Sequence, residues 1–209
     1  MNDRTLHYII RFLLGEDISG RVIAAIGYTA NRKLYDRYSI VIVPSGFFNN
    51  HIYGTPASLP KLPLQEIEGT PLLFGTPQIE QVGDTMVIHA DIVASTYFLI
   101  TRYEEIIQRN ERDEHGRFPG KQSLPYRAGF LHRPIVDEYR LLLRSWLQRY
   151  GLRVPDIKKQ IQHIYLTHDL DAPTLYRSWK GFIRSLKDGR GLSKSIRGKC
   201  GPVENDPYY

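Results

Sequence analysis

The run Tyr38-Ser39-Ile40-Val41-Ile42-Val43-Pro44 is the strongest constraint on the fold. Four consecutive β-branched residues favour an extended strand. Successive strand side chains point to opposite faces, so a continuous apolar run is buried on both, and Pro44 closes it. Such a strand needs cover on each side, and helical patterns occur both before and after it. The sequence therefore predicts an α/β fold: a small mixed sheet flanked by helices.

The other elements follow from periodicity. Leu6 to Leu14 has helical spacing of apolar residues and stops at Gly15. Arg21 to Tyr28 is rich in β-branched residues and reads as a second strand. Between Ser45 and Pro77 the prolines at 56, 60, 63, 71 and 77 cut the chain into short pieces, which predicts loop with one short strand at Leu72 to Phe74. Gln81 to His89 reads as a turn into a strand. Asp91 is placed to cap a long helix from Ile92 to Arg109, with Arg102, Glu104, Glu105 and Arg109 on its polar side. Val136 to Tyr150 predicts an amphipathic helix whose inner side is Leu141, Leu142, Leu143, Trp146 and Leu147, ended by Gly151.

Composition narrows the class. At 209 residues with 42% apolar content, the chain suits one globular domain, or one domain plus a further piece. The amino terminus lacks a signal-peptide pattern and no apolar run reaches the ~20 residues of a membrane span, so a cytoplasmic location and no membrane span are expected. The single cysteine, Cys200, leaves any metal to His, Asp or Glu. The net charge of +6 is concentrated late: residues 177–209 hold eight Lys or Arg against three acids. Its basic residues recur every three or four positions. That pattern reads as a solvated charged face, and no nucleic-acid partner is expected, because no aromatic interleaving or reader motif accompanies it.

Two constellations carry candidate chemistry. His163-Ile164-Tyr165-Leu166-Thr167-His168-Asp169-Leu170-Asp171 reads as an apolar strand running into two acids, with Pro173 as its stop. Asp169 and Asp171 would share one side of that strand, and paired acids persist where a cation, a shared proton or strong donors lie between them. A metal-dependent hydrolase and an Asp-x-Asp glycosyltransferase both use such a pair. A haloacid-dehalogenase phosphatase does not fit, since Pro173 stands where its Thr belongs. A simple cap or turn is the plain alternative. The second constellation, Arg102, Glu105, Asp113, His115 and Arg117, could bind a polar ligand beside the flexible Gly116; local charge pairing that fastens loop to helix is the plainer reading.

Several segments taken together, namely Asp91 to Leu99, Arg102-Tyr103-Glu104-Glu105, Asp113 to Phe118, Pro134 to Glu138 and Thr167 to Asp171, resemble the amino-terminal half of polysaccharide deacetylase-like proteins common in Bacteroidetes. The resemblance implies an uncharacterised α/β region over residues 1–155 and, over residues 156–209, the start of a NodB-type deacetylase domain, a (β/α) barrel of which this would be an incomplete opening. It further implies metal-dependent removal of acetyl groups from a glycan, with zinc as the usual ion, Asp169 as base and Asp171 as metal ligand; the opposite allocation fits as well. The two histidine ligands of that family lie downstream of the acid pair, and here no histidine follows His168. The expectation is a chain inactive by itself. A non-catalytic module that binds glycan or positions a catalytic domain is the second reading, and a glycosyltransferase fragment the third.

Overall fold

Ile40, Val41 and Ile42 form a strand in which every side chain is fully buried. A computed structural model of the chain describes residues 2–15, 18–155, 163–167 and 176–206. The chain divides into two units, Met1–Ile157 and Lys158–Tyr209. In the first, a mixed four-stranded sheet forms from β1 (Ile26–Tyr28), β2 (Ile40–Ile42), β5 (Gly75–Val82) and β6 (Thr85–Ala90), in the order β1-β2-β6-β5. β1, β2 and β6 are parallel and β5 is an antiparallel edge. A separate hairpin pairs β3 (Gln65–Ile67) with β4 (Thr70–Leu72). The mixed α/β class predicted from sequence is what the chain adopts.

The two faces of the sheet are covered differently. Ile40, Ile42 and Ile88 join the main core beneath helices α1 (Asp3–Leu14), α3 (Ile92–Ile100) and α6 (Ile135–Arg149). Val41 and Val87, one residue out of phase, face a smaller cluster with Tyr35, which the 3₁₀ segment Arg32–Arg37 brings across the sheet. Period-two alternation thus explains why a strand with no polar side chain is stable here. Tyr38 crosses directly over Gly27: a Cβ at that glycine would stand 2.5 Å from the ring.

Helix ends follow the sequence signals closely. Asn2 caps α1 by accepting from the Thr5 amide, and Gly15 closes it at φ 91°. α6 ends before Gly151, at φ 93°. Its buried side is Ile135, Tyr139, Leu142, Leu143, Trp146 and Leu147, spaced by three and four. Leu141, expected inside, falls off that stripe and is exposed.

Three expectations fail for identifiable reasons. Arg21 to Tyr28 is a strand only from Ile26; Gly20–Ala24 makes one helical turn, α2, before it. The proline-rich stretch contains a true hairpin rather than one strand, because Glu68 (φ 49°) and Gly69 (φ 78°) supply the positive φ angles that a tight turn needs. Glu68 is held there by Trp146 Nε1 at 3.0 Å and by Arg149. The long helix from Ile92 breaks at Arg102, which adopts φ 53°, so that α3 ends at Ile100 and a short α4 (Tyr103–Ile107) leaves in a new direction. α3 has almost no polar face; it is buried from Ile92 to Thr96 and again at Phe98.

In the second unit, residues 163–167 carry neither helix nor strand, and Ile164, Tyr165 and Leu166 are exposed. The predicted strand into the acid pair is therefore not formed over its described part; Asp169 and Asp171 lie outside the described residues. The basic segment forms two helices, α7 (Trp179–Lys187) and α8 (Leu192–Cys200), separated at Gly189 and Gly191, both at positive φ. α5 (Leu124–Arg127) is a single turn in the first unit. Among the described residues no helix is long and apolar enough to cross a membrane.

Candidate functional site

Asp91 organises one end of the first unit. It sits at the carboxyl end of β6, is fully buried, and caps α3 through the Ala94 amide at 2.9 Å. Its other oxygen accepts from the Ser45 amide at 2.8 Å, the Ser45 hydroxyl at 2.7 Å and the Tyr28 hydroxyl at 3.0 Å. One carboxylate thus ties the ends of β1, β2 and β6 to the first turn of a helix. Burial raises the Asp91 carboxyl above its ordinary value even though all four donors act to lower it, and burial and the nearby carboxylate push the Tyr28 phenol up.

The segment that leaves Ser45 is built of aromatic residues. Phe47 is buried at the centre of a cluster with Phe48, Tyr53, Phe74, Tyr97, Phe98 and Tyr103, with ring centroids 4.7–6.4 Å apart. Several pairs meet edge to face, the geometry favoured by ring quadrupoles. The break at Arg102 matters here, because it turns Tyr103 inward: its hydroxyl accepts from the Gly54 amide at 2.6 Å and lies 2.9 Å from Ser58 Oγ. Tyr53 and Tyr97 share a hydroxyl contact of 2.5 Å. Burial, then the bond to Tyr97, pushes the Tyr53 phenol up to about 12.

Where this cluster meets solvent it leaves an open cleft of about 350 Å³, lined by Tyr53, Gly54, Tyr97, Thr101, Tyr103, Ile106, Ile107 and Arg109. Tyr53 is 39% exposed and Ile106 is 62% exposed. An apolar wall, phenol hydroxyls and one guanidinium form a surface suited to holding a ligand with both C–H and hydroxyl faces. Among the residues that line it, none pairs a nucleophile with a general base. Among the described residues no three or more His, Cys, Asp or Glu side chains come together as a metal-holding group.

The polar residues singled out by sequence form two local pairs rather than one site. Arg102 grips Glu105 with two bonds, of 2.8 and 2.6 Å. Asp113 accepts from the His115 and Arg117 amides, both at 2.9 Å, and from Arg117 Nε at 3.3 Å, closing the turn at Gly116. Those amide bonds and Arg117 hold the Asp113 carboxyl below its ordinary value, with burial a weaker opposing effect. Among the described residues no hydrogen bond or ion pair joins the two sets; Arg112, bonded to the Glu105 carbonyl at 3.3 Å, is the link between their segments. Glu104, which the sequence places on the polar side of the helix, is the buried member. It accepts from the Leu124 amide at 2.7 Å and Arg127 at 2.9 Å and fastens α4 to the Gly120–Arg127 segment.

Residues 2–151 match a family described as a family of unknown function, DUF7033. The chain belongs to the DUF7033 family. No curated protein and no solved structure matches it. The DUF7033 region contains both polar pairs, the Asp91 anchor and the aromatic cleft, and it ends before the acid pair at 169 and 171. Sequence reading missed the cleft. The signal available was local: Phe47, Phe48 and Tyr53 crowd a short loop-like stretch rich in Gly, Pro and Asn.

Proposed function

We propose that this chain is the amino-terminal part of a polysaccharide deacetylase-like carbohydrate protein, and that its DUF7033 region holds glycan without itself cutting or deacetylating it. The observation that carries this reading is the cleft at Tyr53, Tyr97 and Tyr103. Sugar rings present C–H faces that pack on aromatic side chains, while their hydroxyls pair with phenols and guanidinium groups. Of the cleft's three tyrosines, Tyr53 is exposed, Tyr97 is half-buried and Tyr103 is buried behind them, so solvent meets the ring of Tyr53 and the edge of Tyr97. The resemblance of Thr167 to Asp171 to the opening of a deacetylase domain supports the same substrate class.

The chain's own donors do not fit the zinc centre that the resemblance implies. That centre takes an Asp and two histidines downstream, and residues 169–209 contain no histidine. No catalytic step is therefore assigned to Asp169 or Asp171 in this chain. Zinc calorimetry tests the assignment: the purified chain binds zinc no better than an Asp171→Ala variant. Tight binding that Asp171→Ala abolishes contradicts it and returns the acid pair to the position of an active site.

A further inference from the structure

The helical hairpin α7–α8 packs inside out. Its seam is made of small residues: Gly181, Ser185, Ser195 and Gly198 are buried, and the Ser185 and Ser195 hydroxyls meet at 2.8 Å. The large apolar residues face away from it. Trp179, Phe182, Ile183 and Leu186 recur at steps of three and four along α7, and Leu192 and Ile196 do so along α8. The helices run antiparallel, because Ser185 meets Ser195 near the turn while Lys199 stacks 3.7 Å above the Trp179 ring at the far end. Antiparallel packing about one seam brings both apolar stripes to the same side. Trp179 is 72% exposed and Leu192 is 62% exposed. In helical order Lys180 and Lys187 flank the α7 stripe beside Ile183, while Arg184 on α7 and Lys194 and Arg197 on α8 fall farther round; residues 177–206 carry eight Lys or Arg against the acids Asp188, Glu204 and Asp206.

We infer that this face lies on a bilayer surface rich in anionic lipid. An interfacial helix combines a strong apolar stripe bearing Trp and Leu with a Lys- and Arg-rich polar side, and lysines at the border of the stripe reach lipid phosphates while their stems stay apolar. Lys199 decides against a second copy of the chain as the occupant. Its ammonium stands within the apolar face, over Trp179, where a dry protein surface would bury an uncompensated charge and a headgroup layer would supply phosphate. A nucleic acid would engage the basic side and leave the apolar face in water. The inference concerns peripheral contact; it stands independently of the glycan cleft and competes with the deacetylase reading, in which further chain covers this face.

Flotation of the full chain with vesicles of phosphatidylcholine alone, or with added phosphatidylglycerol, tests it. The chain floats with the anionic vesicles and not with the neutral ones, and acrylamide loses access to Trp179 while Trp146, already buried, is unaffected. The double variant Lys180→Glu, Lys187→Glu, which leaves the seam and the apolar face untouched, binds roughly thirtyfold or more weakly. A second variant, Ile183→Asp, checked for helix content by circular dichroism, also loses flotation. Absence of flotation with anionic vesicles overturns the inference. So does protection of Trp179 that instead tracks protein concentration as a dimer, or that requires added nucleic acid.

Discussion

The hydroxyl of Tyr103 accepts a 2.6 Å hydrogen bond from the backbone nitrogen of Gly54. That bond holds the aromatic loop against the start of α4 and fixes one wall of the cleft. Tyr103→Phe keeps the ring packing and removes the acceptor, leaving the Gly54 amide to find water, while Ser58 Oγ keeps its bond to the Thr55 carbonyl. A loss of about 1–2 kcal/mol in unfolding free energy follows, with faster amide exchange at Gly54. Exchange at Gly54 unchanged from the wild type contradicts the role given to this hydroxyl.

Asp91 joins three strand ends to one helix start, so its removal acts at several places at once. Asp91→Ala deletes the cap of α3 and leaves the Ser45 and Tyr28 donors without their acceptor. The expected cost is about 2–4 kcal/mol, from the loss of a cap plus buried unsatisfied donors. Urea denaturation measures it, and a cost under about 0.5 kcal/mol would rule out the carboxylate as an anchor.

Gly27 lies under the Tyr38 ring with no room for a methyl group. Gly27→Ala must push that ring or the strand aside and costs about 1–3 kcal/mol. Combining it with Tyr38→Ala relieves the clash, so the double variant is less destabilised than the sum of the two singles. Strict additivity would mean that the two sites do not touch.

These elements differ in how openly the sequence carries them. The buried strand at Ile40, the cap at Asp91 and the stop at Gly15 rest on local chemistry, which the sequence carries openly. The break at Arg102 does not: an arginine at positive φ has no compositional signature, and it persists because Tyr103 and Glu104 gain partners beyond it. The Glu68–Gly69 turn was hidden by Pro71, and it depends on Trp146 and Arg149, far along the chain. The cleft needs residues from two separated segments, around 53 and 97–109, that converge only once the loop after β2 is tied to Asp91. Its parts were visible; their meeting was not.

Glu68 gives the fold a pH dependence of known sign. Burial acts to raise its carboxyl, but hydrogen bonds from Trp146 and Arg149 outweigh that and hold it below its ordinary value. A carboxyl lowered in the folded state adds stability above its unfolded value of about 4.3, and that contribution is lost as pH falls through the folded value. Glu68→Gln therefore flattens the fall in stability below about pH 4 while lowering stability at neutral pH. Denaturation curves collected across that range distinguish this from an unchanged acid limb, which would mean that the carboxylate is not held.

Calorimetric titration with an acetylated glucosamine oligomer reads glycan binding at the Tyr53 cleft. Tyr53→Ala removes an exposed wall of the cleft. The expected result is saturable binding to the wild-type chain and binding about tenfold weaker or worse to Tyr53→Ala, a difference of about 1.4 kcal/mol, with the variant, which loses ring contacts to Phe47, Phe48, Tyr97 and Tyr103, unfolding at a lower temperature but folded at the temperature of the titration. No saturable heat with the wild type, or equal affinity for the two proteins, contradicts it.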